Sequence, residues 1–187
     1  RPYIVLGKVV FPAHGEGGTI GIFEYANNTL RTIAKTNTPI PGTQLKFSRF
    51  SSQLGRDFET PAPSAINNQV IFTGGSGKFS GVFYGTAPNH LKAVATTRDN
   101  MAPGTKFAAF RDPYFVGNNT AAFVGVSKGK NPRYESIYYK PIMGKPIQGY
   151  GTQTRSVRFT NMVNPSFGRL PGNENLVGVN THANSNL

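Results

Sequence analysis

Pro-Gly-Thr followed by two phenylalanines three apart occurs twice, as "IPGTQLKFSRF" over 40–50 and within "APGTKFAAF" over 102–110. A chain that restates a phrase at long interval builds one supersecondary unit more than once, and such units bury their faces on one another. Other segments recur in the same order. "VVF" (9–11), "VIF" (70–72) and "AAF" (121–123) end in Phe11, Phe72 and Phe123, the last two inside "NNQVIFTG" and "NNTAAFVG". "GIFEYANN" (21–28), "GVFYGTAPN" (81–89) and "SIYYKPIM" (136–143) follow, then "LRTIAKT" (30–36) and "LKAVATT" (91–97).

The third copy is eroded. "VRFTNMVNPSF" (157–167) stands against "TKFAAFRDPYF" (105–115), so Phe159 matches Phe107 and Met162 matches Phe110, while Pro-Gly-Thr has become "GYGTQT" (149–154). "NENLVGVNTHA" (173–183) reads as the opening strand of a fourth copy, with Val179 in the place of Phe72. The expected organisation is a single all-β array over 1–187. Its units run over about 1–68, 69–119 and 120–172, with a terminal strand over 173–187.

Each unit holds four strand-sized segments: the "xVxF", "GIF/GVF", "LxxIA" and "FxxF" strands. Gly, Asn-Asn and Pro-Gly punctuate them. The chain has 22 Gly and 14 Pro, and no stretch of helical length keeps an apolar helical period free of both. Four-stranded antiparallel units repeated in series predict a propeller-like fold of three units plus one extra strand. A β-trefoil or a β-sandwich is the alternative.

The segment "NNQVIFTG…GVFYG…LKAVATTRDNMAPGTKFAAFRDPYF" resembles tandem Asn-x-x-Gly-x-x-Phe-type β repeats of secreted bacterial surface proteins, found among planctomycetes and cyanobacteria. The resemblance spans most of residues 9–123. It implies an extracellular, propeller-like array without enzyme activity.

Twenty Lys and Arg against eight Asp and Glu leave a net charge of +12. Such a field attracts acidic polysaccharide, nucleic acid or another polyanion. Lys46, Lys106 and Arg158 each precede the first Phe of an "FxxF" strand, and Arg31 and Lys92 match after a shared Leu. Repeated cations could form a ladder for an extended polyanion, with Tyr25, Tyr84 and Tyr139 stacking on sugar rings. The plainer reading is that these cations only wet the outer side of each strand.

Candidate chemistry is sparse. His14, His90 and His182 stand in turn-like contexts without ligand spacing, so no metal or cofactor is expected. Asp57 and Glu59 in "GRDFETPAP" would share a face of an extended segment, the basis of a polysaccharide-active alternative. Cysteine is absent, which removes thiol chemistry and disulfides. No apolar run reaches transmembrane length. A start at Arg1 rather than Met fits a processed, secreted chain. "NNT" at Asn27 and Asn118 is an acceptor for glycosylation where the host performs it.

Sheet-forming repeats too few to close expose faces and edges. Tyr3, Ile4, Val5 and Leu6 at one end, and Leu176, Val177 and Val179 at the other, are the expected contacts of self-assembly by strand exchange or stacking. The functional expectation is a non-catalytic structural subunit of a filament, ring or surface layer; polyanion binding is second and an enzyme third.

Overall fold

The computed structural model describes residues 2–50, 63–102, 105–117, 120–127, 135–142, 148–150, 166–169 and 175–178. It is all-β: no α-helix occurs among the described residues, and a single 3-10 turn spans Glu16–Gly18.

Sheet I is formed by β1 (Tyr3–Val5), β2 (Lys8–His14), β3 (Ile20–Ala26) and β4 (Thr29–Lys35), paired antiparallel in that order. Sheet II repeats the plan with β5 (Ser64–Ile66), β6 (Gln69–Ser76), β7 (Phe79–Gly85) and β8 (Leu91–Thr96). Sheet III contains β9 (Asn100–Ala102), β10 (Thr105–Val116), β11 (Thr120–Ser127), β12 (Glu135–Pro141) and β13 (Gln148–Tyr150), also antiparallel. β14 (Ser166–Arg169) and β15 (Asn175–Gly178) pair with each other as a two-stranded antiparallel sheet. None of these sheets closes into a barrel, the closure a trefoil core would need.

Local chemistry sets the turns. Asn27 and Asn28, at φ 48° and 57°, join β3 to β4 in the double left-handed conformation of a two-residue hairpin, which Asn tolerates. Leu6-Gly7 makes the same kind of turn between β1 and β2, with Leu6 at φ 45°. Leucine gains nothing locally there, because its side chain is exposed to solvent.

Register makes the repeat physical. Phe11 pairs with Phe23 across β2 and β3, Phe72 with Phe83 across β6 and β7, and Phe123 with Tyr138 across β11 and β12. Side chains alternate between faces, so each sheet has an aromatic face and an aliphatic one. The aliphatic face of sheet I (Val10, Ile22, Ile33) buries the aromatic face of sheet II (Val70, Phe72, Phe83), with Phe47 and Phe50 in the same cluster. The aliphatic face of sheet II (Ile71, Val82, Val94) buries Ala121, Phe123 and Tyr138 of sheet III, with Phe107 and Phe110 between them. The core is therefore two successive sandwiches sharing sheet II.

The "FxxF" segment does not close the unit that precedes it. Arg49 bridges to Gly75 of β6, and Phe107, Ala109 and Phe110 pair with Ser127, Val126 and Gly125 of β11. Each phenylalanine pair thus lies on the following sheet: Phe47 is 5.0 Å from Phe83, and Phe107 is 5.0 Å from Tyr138. The fourth strand of each sheet is instead the short strand before the tight turn. In sheet III that strand is the second half of β10, reached through a bulge at Arg111/Tyr114 where Asp112 takes φ 45° before Pro113. Packing against the next sheet buries both rings completely, which the last strand of an open sheet could not do.

Glycine admits these rings. A Cβ on Gly74 would stand 2.9 Å from Phe47 Cε1, and one on Gly125 would collide with the Phe107 ring. Ala13 holds the corresponding place in sheet I, opposite Gly21 as Gly74 is opposite Gly81.

Candidate functional site

The aromatic face of sheet I is the one sheet face left open among the described side chains. Register sets Ile4, Val9, Tyr25 and Leu30 in a single row across all four strands. Ile4 is 72%, Tyr25 43% and Leu30 60% exposed. The next row holds Phe11, Phe23 and Thr32, all half-buried, with the two rings 6.2 Å apart. Among the described residues five large hydrophobics are exposed: these three, Leu6 in the adjoining turn, and Leu45 elsewhere.

Equivalent rows elsewhere are covered on their first two strands, while Leu91 and Lys140, in the places of Leu30 and Tyr25, are half-buried. Ala65, Val70 and Phe72 of sheet II, and Phe115, Ala121 and Phe123 of sheet III, are buried beneath the preceding sheet. The far side of sheet III is closed as well, since Ala122, Val124 and Val126 have no exposed surface. Apolar residues exposed singly are ordinary on a protein surface; here Ile4, Tyr25 and Leu30 are exposed in one row.

Of the residues the sequence singles out for assembly, Tyr3, Ile4 and Val5 form β1 and Leu6 the turn after it. Tyr3 and Val5 pack against the sheet I–sheet II core, whereas Ile4 belongs to the open row. Leu176 and Val177 lie in β15, opposite Gly168 and Phe167, and Val179 lies outside the described residues. The sequence reading missed Phe11, Phe23 and Leu30. A signal for the two phenylalanines was present: the period of two along "KVVFPAH" and "IGIFEYA" sets Phe11 beside Val9 and Phe23 beside Tyr25, each pair on one face of its strand.

The candidate polyanion ladder separates into distinct environments. Lys46 and Lys106 are both exposed and occupy matching places, bridging Pro39 and pairing with Asn100 respectively. Lys92 is exposed on β8 opposite Tyr84. Arg31 is engaged differently: its Nη2 donates to Glu24 Oε1 at 2.7 Å and to the Asn68 carbonyl at 3.4 Å. Lys8 Nζ donates to the Asn67 carbonyl at 3.0 Å and to Asn68 Oδ1 at 2.6 Å. These two cations clamp the paired-Asn turn of sheet II onto sheet I. Arg158 lies outside the described residues.

The three tyrosines do not form one surface. Tyr84 and Tyr139 stand at matching register positions, but Tyr25 is one residue displaced and faces the opposite way. Tyr84 is buried, its hydroxyl donating to the Ile142 carbonyl at 3.4 Å, and burial raises its pKa above the usual tyrosine value. Tyr25 is open to solvent and donates to Asn28 Oδ1 at 2.7 Å. Tyr139 is half-buried in β12.

Other reactive groups serve structure. Asp99 Oδ2 accepts from the Thr96 backbone N–H at 2.7 Å and from its hydroxyl at 3.1 Å, holding the turn after β8. Arg49 donates to the carbonyls of Gly77 and Phe79 at 2.6 and 2.9 Å, tying the "FxxF" segment to the β6–β7 turn, and its burial lowers its pKa. His14 and His90 are exposed. No group of three or more His, Asp or Glu with metal-site geometry occurs among the described residues. No helix among them is long and apolar enough to cross a membrane. Asn27 is exposed in its turn, while Asp57, Glu59, Asn118 and His182 lie outside the described residues.

No family, curated protein or solved structure matches this chain.

Proposed function

We propose that the protein is a non-catalytic structural subunit that self-assembles through its repeated sheets. The observation carrying this reading is the open row Ile4–Val9–Tyr25–Leu30 beside Phe11 and Phe23: the counterparts of Ile4, Val9, Phe11 and Phe23 in sheets II and III (Ala65, Val70, Phe72, Phe83; Phe115, Ala121, Phe123, Tyr138) are buried against a neighbouring sheet. Surface built to be covered inside the chain is available at sheet I for a contact between chains. The units act as propeller-like blades: the short strands β1, β5 and the second half of β10 approach one another along one side, and Tyr3 reaches Tyr114. A secreted, extracellular setting accords with the surface-protein repeats the sequence resembles.

Light scattering over a concentration series, followed by negative-stain microscopy, tests the reading. Mass that rises with concentration and regular particles are expected. A constant monomer mass at high concentration overturns it.

A second reading, binding of acidic polysaccharide or another polyanion, draws on Lys46 and Lys106. They are exposed at equivalent points of successive units in a chain of net charge +12. The two readings respond oppositely to salt, because counterion release drives polyanion binding while like-charge repulsion opposes association of two cationic chains.

A further inference from the structure

We infer that the aromatic face of sheet I docks the same face of a second copy, giving a two-fold dimer in which the rows Ile4–Val9–Tyr25–Leu30 and Phe11–Phe23 are buried against their symmetry mates. This inference rests on the self-assembly reading and specifies its first contact.

The chain itself shows what covers such a face. In sheets II and III the cover is another sheet of the same repeat together with a phenylalanine pair supplied by the intervening segment. The question is which sheet of a second copy is free to play that part. Both faces of sheet II are occupied, by sheet I and sheet III. The aliphatic face of sheet I is buried on sheet II. Sheet III has its aromatic face on sheet II, and Ala122, Val124 and Val126 on the other side are already fully buried. Among the described side chains, the face remaining in the partner is its own sheet I aromatic face. A surface that must meet itself forms a closed two-fold contact.

Ala13 reinforces the choice. An array continued in the internal mode would lay the first ring of a Phe-x-x-Phe pair over the position of Gly74 and Gly125. Ala13 fills that place with a methyl group, at a point where a Cβ on Gly74 would come within 2.9 Å of the Phe47 ring. Sheet I is thereby adapted to a cover without an intervening ring, such as a second bare sheet. Charge agrees with this. Ile4, Val9, Phe11, Ala13, Phe23, Tyr25, Leu30 and Thr32 leave an uncharged plateau in a chain of net charge +12, with Lys35 at the far end opposite Gly21. Two copies can approach there without opposing cations at the centre.

The test uses the exposed positions, where substitution leaves the core untouched. Sedimentation velocity of the wild-type chain should show a dimer whose dissociation constant falls at least several-fold as salt rises from low to moderate, since screening weakens the mutual repulsion. The Tyr25→Glu/Leu30→Glu variant should remain monomeric at concentrations where wild type is dimeric, with an unchanged circular dichroism spectrum and thermal transition. The chain has no cysteine, so Tyr25→Cys with a short bis-maleimide should give a covalent dimer, and Lys92→Cys on sheet II should give none. A Tyr25→Glu/Leu30→Glu variant that assembles like wild type overturns this interface while leaving self-assembly through another surface standing. A wild-type chain that stays monomeric at every concentration overturns both.

Discussion

Tyr3 Oη lies 3.3 Å from Tyr114 Oη, and the two rings meet edge to face with centroids 6.1 Å apart. The pair joins the first strand to sheet III and spans sheet II, so the three sheets are held by more than pairwise stacking. Burial, then the hydrogen bond and charge of Tyr3, push the Tyr114 hydroxyl from 10.0 up to about 12. Because the folded value is raised, the contribution to stability is complete below about pH 10 and is lost as pH rises through about 12. Absorbance titration at 295 nm should therefore show a late-ionising fraction that ends with alkaline unfolding. Tyr114→Phe should remove part of that fraction. An alkaline transition identical to wild type would show that the pair does not link the sheets.

Gly74 and Gly125 should not tolerate a methyl group. Gly74→Ala forces the Phe47 ring to move and should cost about 1–3 kcal/mol in urea unfolding, the usual penalty for overpacking. Ala13→Gly in sheet I should cost no more than about 1 kcal/mol, from backbone freedom alone. Equal losses at positions 13 and 74 would remove the argument that Ala13 marks a differently covered face.

Phenylalanines at matching register positions should differ in worth. Phe47 and Phe72 are fully buried, and truncation of either to Ala should destabilise by about 3–5 kcal/mol. Phe11 is half-exposed in the free chain, so Phe11→Ala should cost about 1 kcal/mol at dilution where the chain is monomeric. If Phe11→Ala costs as much as Phe72→Ala under those conditions, the sheet I face is not open.

Glu24 is buried between sheets I and II with Arg31 on its Oε1, and its Oε2 has no hydrogen-bond partner. Arg31→Met leaves that carboxylate without its cation and should cost about 3 kcal/mol, the low end for breaking a buried pair because the arginine is 36% exposed. Adding Glu24→Gln should recover most of the loss. A double variant no more stable than the single one would mean that Arg31 acts through Asn68 rather than through Glu24.

Polyanion binding, where it occurs, should centre on the exposed lysines. Lys46→Gln with Lys106→Gln should lower the salt at which the chain leaves a heparin column, and adding Lys92→Gln should lower it further. Arg31→Gln should change elution less, since Arg31 is already engaged by Glu24. Elution unmoved by the lysine changes would reduce the positive charge to a solubility feature.

How far the sequence reaches is visible at particular residues. The recurrence of Phe11, Phe72 and Phe123, each followed by a second aromatic strand, makes four-stranded antiparallel sheets and their turns legible, because alternation and turn chemistry are local. The ownership of the "FxxF" strand was not legible. The backbone of Phe47 bonds back to Asn37 and Thr38, just after sheet I, yet its ring packs forwards onto sheet II, where Gly74 leaves room for it. That Tyr25 stands one residue out of register with Tyr84 and Tyr139 is hidden for a related reason. One residue of register moves a side chain to the other face, and spacing by eye does not resolve one residue.

The sequence by itself determined an all-β chain of repeated sheets, with a large excess of cations and no thiol chemistry. Those properties follow from residue type, alternation and the conformations that Gly, Asn and Pro permit. Tertiary structure alone decided which face of each sheet is covered and by whom. It put Tyr84 inside and Tyr25 outside, turned Arg31 from a ladder cation into the partner of Glu24, and left the Phe11–Phe23 face of sheet I open. Burial is a property of what packs above a residue, and that neighbour lies on another sheet, dozens of residues away along the chain.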